Sequence, residues 1–228
     1  EWVVPKGHSL LSYQLGRKVR SRLGKPADPA KGRPRMMAPK EGMGAVIQAL
    51  EGRLEARLGA RFQKGKAFTL EQGVSSNRNL ILTVPAYRAA GILRESSPRL
   101  SDALDRVSYT PLVSVTTVVE KEAGRSTRKG VGVLIPRTEG LESLGVLFNS
   151  SSFRGRVDKQ DQHESLTFIL GGTREPARVR ASDAEIEEWI RRDLGALFGD
   201  AVRLVHLSIH RVEKAVPLYD ENLSTAWS

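Results

Sequence analysis

Apolar residues recur at helical spacing at Leu10, Leu11, Leu15, Val19 and Leu23, with Arg17, Lys18, Arg20 and Arg22 between them. This period predicts an amphipathic helix over residues 9–23 with a basic polar face. The stretch GKPADPAKGRPR, residues 24–35, reads as a loop, because proline fixes φ and removes backbone donors. A second stripe, Met43, Val46, Ile47, Leu50, Leu54 and Leu58, starts near Gly42 and meets a stop signal at Gly59.

The pattern then changes from a period near four to a period of two. ARFQKGKAFTLEQ and NLILTVPAYRAAGIL are strand-like, the second turning into a short helix after Pro85, and residues 96–106 hold another short helix. TPLVSVTTVVEKEA alternates and is rich in β-branched residues, GRSTRKG turns the chain, and GVGVLIPRTEGLESLGVLFNSSSF reads as strand, polar turn and strand. After a loop, FRGRVDKQDQHE, comes the strand SLTFILGG. SDAEIEEWIRRDLGALFG is a helix with Ser182 and Glu185 at capping-box spacing and Ile186, Trp189, Ile190, Leu194 and Leu197 on one face. AVRLVHLSIHRVEKAVPLY supplies a final strand. The predicted class is α+β, with a mixed, mostly antiparallel sheet backed by helices.

Two readings of the glycine-flanked ridge at residues 130–134 stand side by side. Small and β-branched residues in a hairpin serve packing, and they also make a flat wall against which a broad ligand can lie. Ser150, Ser151 and Ser152 read as a turn, since hydroxyls satisfy local backbone groups there.

Charge is uneven along the chain. Of the net +10, most falls in residues 1–40, where ten Lys and Arg face only Glu1 and Asp28. Such a segment suits an anionic membrane surface or a solvated positive stretch. Trp2 and Tyr13 are its only rings, too few for base stacking, so nucleic acid is not expected as a partner.

Candidate chemistry is sparse. The chain has no cysteine, which excludes disulfides, thiolate metal sites and cysteine nucleophiles. His206 and His210 lie four apart in a strand-like run, about 13 Å from each other, too far for one metal ion. GVGVLIP has Ile135 where a third dinucleotide-binding glycine belongs. Glu185, Glu187 and Glu188 sit in the first turns of a capped helix, where carboxylates favour the helix dipole. Neither a catalytic residue nor a metal site is assigned.

The order of segments is more informative. EGMGAVIQALEGRLEARLG, a lysine-glycine strand, LILTVPAYRAAGIL, YTPLVSVTTVV, GVGVLIPRTEGLESLGVLFNSS, SLTFILGG and KAVPLY together resemble the middle of the protoporphyrinogen oxidase family, within the amine oxidase-like flavoproteins. The resemblance spans residues 9–223 and is most specific in LIPRTEGLESLGVLFNSS, the LGG strand end and KAVPLY; TVPAY is shared more widely among FAD-linked amine oxidases and desaturases. It implies an FAD-dependent, oxygen-using oxidation of protoporphyrinogen to protoporphyrin in haem synthesis.

By motif position the resemblance implies substrate contacts at Val131, Gly132, Leu134 and Ile169, with Ala67 and Phe68 near the adenine side of FAD. Gly132 would let the backbone approach a ring face with no Cβ between. Family members often carry an aromatic residue where this chain has Val131.

The same resemblance implies a division into residues 1–42, a basic helix and loop of the substrate or membrane-facing region; 43–94, a partial strip of the FAD domain; 95–216, the substrate-binding domain; and 217–228, the start of a return to the FAD domain. The family's glycine-rich dinucleotide motif is expected before Glu1 and its closing segment after Ser228, so this stretch is not expected to hold FAD unaided. Implied partners are a porphyrinogen or porphyrin, an anionic membrane surface, and a second copy or a completing chain. The implied location is the cytoplasm, including the cytoplasmic face of the inner membrane. Two other readings stay open: a flavin-free tetrapyrrole or membrane-surface binding module, and another amine oxidase-like flavoprotein.

Overall fold

Alternation of branched apolar and polar residues over YTPLVSVTTVVE produces the central strand of the protein, β1 (Tyr109–Glu120), in which Val113, Val115, Thr117 and Val119 are buried. The computed structural model describes residues 37–67, 70, 80–121, 128, 130–221 and 223. Two units divide the chain, Glu1–Met43 and Gly44–Ser228. Of the first, the described residues form a turn in which Gly42 N donates to the Pro39 carbonyl. The basic helix expected over residues 9–23 lies outside the described residues.

Within the second unit the chain runs through α1 (Gly44–Leu58), α2 (Ala86–Leu93), α3 (Pro98–Asp105), β1, β2 (Gly132–Leu134), β3 (Ser143–Phe148), β4 (His163–Gly171), α4 (Asp183–Phe198) and β5 (Leu204–Pro217). The five strands form one sheet in the order β2-β3-β4-β1-β5, every neighbouring pair antiparallel. This is the α+β architecture expected, with the sheet wholly antiparallel among the described residues.

One face of the sheet carries the core. The row Val133, Val146, Phe168, Val115 and Ile209 crosses all five strands in register, and Phe168 is fully buried. Ile186, Ile190 and Leu194, from one stripe of α4, join these residues in a single apolar cluster. The helix starts where the sequence places it. Ser182 Oγ accepts from Glu185 N at 3.3 Å, and Ser182 N donates to Glu185 Oε2 at 2.8 Å, completing the capping box.

Polar links pin α4 to the sheet. The buried Asp193 carboxylate accepts from Ser143 Oγ at 2.6 Å, from Ser143 N at 2.9 Å and from Glu142 N at 3.3 Å. Glu142 in turn pairs with Arg192 at 2.6 Å and with Arg178, whose guanidinium carbon lies 4.2 Å from the centre of the Trp189 ring.

Two strand-like stretches take other forms. Residues 62–67 and 80–84 are irregular, although Ala86–Leu93 is the short helix expected after Pro85. A strand lasts only where a neighbour satisfies its backbone groups, and the apolar composition of LILTV does not supply that neighbour. The apolar stripe of α1, including Ile47, Leu50 and Leu54, is solvent-exposed. On its polar side Lys64 Nζ pairs with Glu51 at 2.8 Å and with Glu55 at 2.5 Å, and these hydrogen bonds hold its ammonium well above the ordinary lysine range.

Candidate functional site

Residues facing away from α4 form two rows across the whole sheet. One is Gly132, Leu147, Thr167, Thr116 and Ser208; the next is Leu134, Gly145, Ile169, Ser114 and His210. Rows two residues apart share a face, so these ten positions make one wall. Five strands at ~4.8 Å spacing give it a width of about 19 Å. Its β2–β3 side is apolar, with Leu134 87% and Leu147 46% exposed, while its β4–β1–β5 side carries hydroxyls.

The hydroxyl side is ordered by its own contacts. Thr116 and Thr167 hydroxyls lie 3.4 Å apart, and Asn149 Nδ2 donates to Thr167 Oγ1 at 2.8 Å and to Ser165 Oγ at 3.2 Å. Asn149 opens the single helical turn Asn149–Ser152, and Ser150 Oγ accepts from Ser165 N at 2.8 Å. Ser150 thus serves a backbone donor of the neighbouring strand β4, fifteen residues on, and not a local one as the turn reading suggests.

Three of the four expected substrate contacts, Gly132, Leu134 and Ile169, share this wall, and Leu134 and Ile169 stand in the same row with Gly145 between them. Val131 precedes β2; its carbonyl accepts from Phe148 N at 2.8 Å, and its side chain is half exposed. Ala67 is exposed in the irregular stretch after the turn Gly59–Arg61, and Phe68 lies outside the described residues.

Gly132 has a structural reason of its own beside the one its motif suggests. A Cβ built there would stand 2.3 Å from the Val146 carbonyl oxygen, and one at Gly145 would stand 2.7 Å from the Val133 carbonyl oxygen. The glycines therefore let β2 and β3 approach each other. Reading by sequence also passed over Gly145, Leu147, Thr116 and Thr167, whose place on the wall follows from alternation once the strand register is fixed.

A shallow cavity of about 450 Å³ continues the wall at its far end, lined by Val118 and Val205 with Arg156, Val157, Asp158 and His163. Among the described residues no group of histidines and carboxylates could hold a metal ion. No described helix is long and apolar enough to cross a membrane.

The described residues do not fit a dinucleotide pyrophosphate. That group needs a strand, a glycine turn and an open helix N-terminus in succession. β4 does end at Gly171 and Gly172, but the turn Pro176–Arg180 intervenes before α4, whose first turn is closed by its own Ser182–Glu185 pair. At α2 the Ala86 N–H is taken by the Tyr109 hydroxyl at 3.0 Å.

The sequence profile of the flavin-containing amine oxidoreductases matches residues 21–218. The chloroplastic protoporphyrinogen oxidase of Nicotiana tabacum is 37% identical over 131 residues, 54% of this chain and 24% of that protein. The chloroplastic protoporphyrinogen oxidase 1 of Arabidopsis thaliana is 29% identical over 174 residues, 68% of this chain and 32% of that protein. A crystal structure from Exiguobacterium sp. 255-15, described as a candidate protoporphyrinogen oxidase, superposes with a TM-score of 0.51 at 16% identity, over 63% of this chain and 31% of that one. The chain thus spans about a quarter to a third of the length of these relatives. With a profile match over most of its length, the chain belongs to the flavin-containing amine oxidoreductase family.

Proposed function

We propose that this chain is the substrate-binding portion of an FAD-dependent oxidase that converts protoporphyrinogen to protoporphyrin in haem synthesis. The observation that carries the reading is the wall opposite α4, apolar at the exposed Leu134 and Leu147. A macrocycle presents a broad apolar face, and these two side chains, with no branch at the exposed Gly132 beside them, offer it an apolar surface. The similarity to relatives named protoporphyrinogen oxidase supports the same substrate.

In this reading the chain binds and orients the ring and keeps water from one of its faces. The redox step belongs to the flavin. Flavin would be held by parts of the longer relatives that this chain does not match, because the described residues offer no pyrophosphate cradle. Val131 would flank the ring at the edge of β2, and Ala67 and Phe68 would approach the adenine side in the completed protein. The basic segment in residues 1–40 would hold the protein against an anionic membrane surface.

Titration of the purified 228-residue chain with protoporphyrin IX, followed by Soret absorbance and fluorescence, tests the reading. Saturable binding to the wild type, weakened about tenfold or more in Leu134→Glu by a charge placed against the apolar ring, is the expected result. Failure of the wild type to bind, or equal binding by the variant, overturns it.

A further inference from the structure

The middle of the wall is polar and uncharged. β4 is the third strand of the sheet, so a broad ligand centred on the wall has its centre over Thr167 and Ile169, with Leu147 on one side and Thr116 on the other. Each neighbour stands one strand away, about 5 Å. A ligand in that place takes both threonine hydroxyls out of water, and a hydroxyl covered without a partner costs binding.

What the two hydroxyls offer follows from their hydrogen bonds. Asn149 Nδ2 donates to Thr167 Oγ1 at 2.8 Å and to the buried Ser165 Oγ at 3.2 Å, which uses both amide hydrogens. The Thr116 and Thr167 oxygens lie 3.4 Å apart, a long contact for two hydroxyls and one that yields readily to a ligand. A hydroxyl oxygen accepts twice and donates once. Asn149 fills one acceptor position of Thr167, and one hydroxyl hydrogen is shared between the threonines. Whichever of them donates, the pair keeps two acceptor positions and one donor. The ten wall positions include no carboxylate, lysine or arginine, so the groups that suit these acceptors are neutral N–H donors on an apolar ligand.

We propose that the Thr116–Thr167 pair accepts pyrrole N–H groups and so makes the wall selective for the reduced ring over the oxidised one, with Asn149 as the positioning residue behind Thr167. The proposal rests on the porphyrin reading and adds which form of the ring is held. A porphyrinogen carries a hydrogen on every pyrrole nitrogen. Its saturated bridges let the pyrroles tilt, so that N–H groups leave the mean plane and point at a surface beneath. A porphyrin is flat, has half as many N–H groups, and keeps them in the plane, aimed at the centre of the ring. Lying on the wall, the oxidised ring covers the hydroxyls without satisfying them, and the wall holds the product less tightly than the substrate.

Anaerobic competition tests the proposal: protoporphyrin IX bound to the 228-residue chain is displaced by protoporphyrinogen IX, and the porphyrin fluorescence reports the exchange. The wild type should prefer the porphyrinogen by about tenfold, the scale of one hydrogen bond. Thr116 is exposed on a strand, where valine is well tolerated, so Thr116→Val keeps the fold. That variant should lose most of the preference, the loss falling on the porphyrinogen, whereas Thr167→Ser, which retains the hydroxyl, should keep it. Three results overturn the proposal and leave the porphyrin reading in place: a wild type that holds the oxidised ring as tightly as the reduced one or more so, a full preference in Thr116→Val, or an equal loss of both rings in that variant. If the wild type binds neither ring, the porphyrin reading falls and this proposal with it.

Discussion

Gly132 and Val146 lie so close across the β2–β3 ladder that a Cβ on the glycine would stand 2.3 Å from the Val146 carbonyl oxygen. Backbone cannot yield as the tip of a side chain can. Gly132→Ala should therefore destabilise the protein by about 1–3 kcal/mol, the usual scale for overpacking. Gly145→Ala, with 2.7 Å to the Val133 carbonyl oxygen, should also be destabilising. Urea unfolding midpoints measure both, and a wild-type midpoint in Gly132→Ala would show that β2 is free to move away.

Leu134 should behave in the opposite way. Its side chain is almost wholly exposed, so Leu134→Ala should leave stability within about 0.5 kcal/mol of wild type. The same substitution removes apolar area from the wall and should weaken porphyrin binding. Paired unfolding and titration curves separate the two effects, and a large loss of stability in Leu134→Ala would mean that the residue belongs to the core.

Asp193 is a structural carboxylate. Asp193→Ala deletes the acceptor for the Ser143 hydroxyl, the Ser143 N–H and the Glu142 N–H in a buried setting, and should cost about 3 kcal/mol. Asp193→Asn keeps the size and one acceptor and should lose less. Thermal or urea unfolding of the two variants ranks them; a harmless Asp193→Ala would show that α4 is held by its apolar stripe alone.

The capping box gives a pH dependence with a defined sign. Hydrogen bonds from the Ser182 hydroxyl and then the Ser182 N–H lower the Glu185 carboxyl below its ordinary 4.5. A carboxylate with a lower value in the folded state stabilises fully above the unfolded value and loses that contribution as pH falls through the folded one. Melting temperatures of wild type and Glu185→Gln should differ above pH 4.5 and converge below it. A constant offset through the acid range would remove Glu185 ionisation from the cap.

β1 and α4 were legible because their patterns are long: burial alternates from Val113 to Val119, and Ile186, Ile190 and Leu194 repeat at helical spacing. LILTV at residues 80–84 has strand composition yet is irregular, since composition does not reveal whether a neighbour exists. Register was the largest gap. Leu134, Gly145 and Ile169 lie far apart in the chain, and only the ladder places them in one row. The motif marks Gly132 as special without saying which side is crowded, and the geometry answers with β3.

The sheet order also fixes when the protein can become whole during synthesis. β1 lies between β4 and β5, pairing Glu120 with His163 on one side and Tyr109 with Pro217 on the other. At ribosomal rates of about 5–20 residues per second, the 84 positions from Glu120 to Leu204 take on the order of ten seconds to make. Throughout that interval the central strand of the sheet has an open flank. A nascent polypeptide of this topology reaches its final pairing late and through distant contacts, which makes it a slow folder and a client for chaperones that shield unpaired β edges.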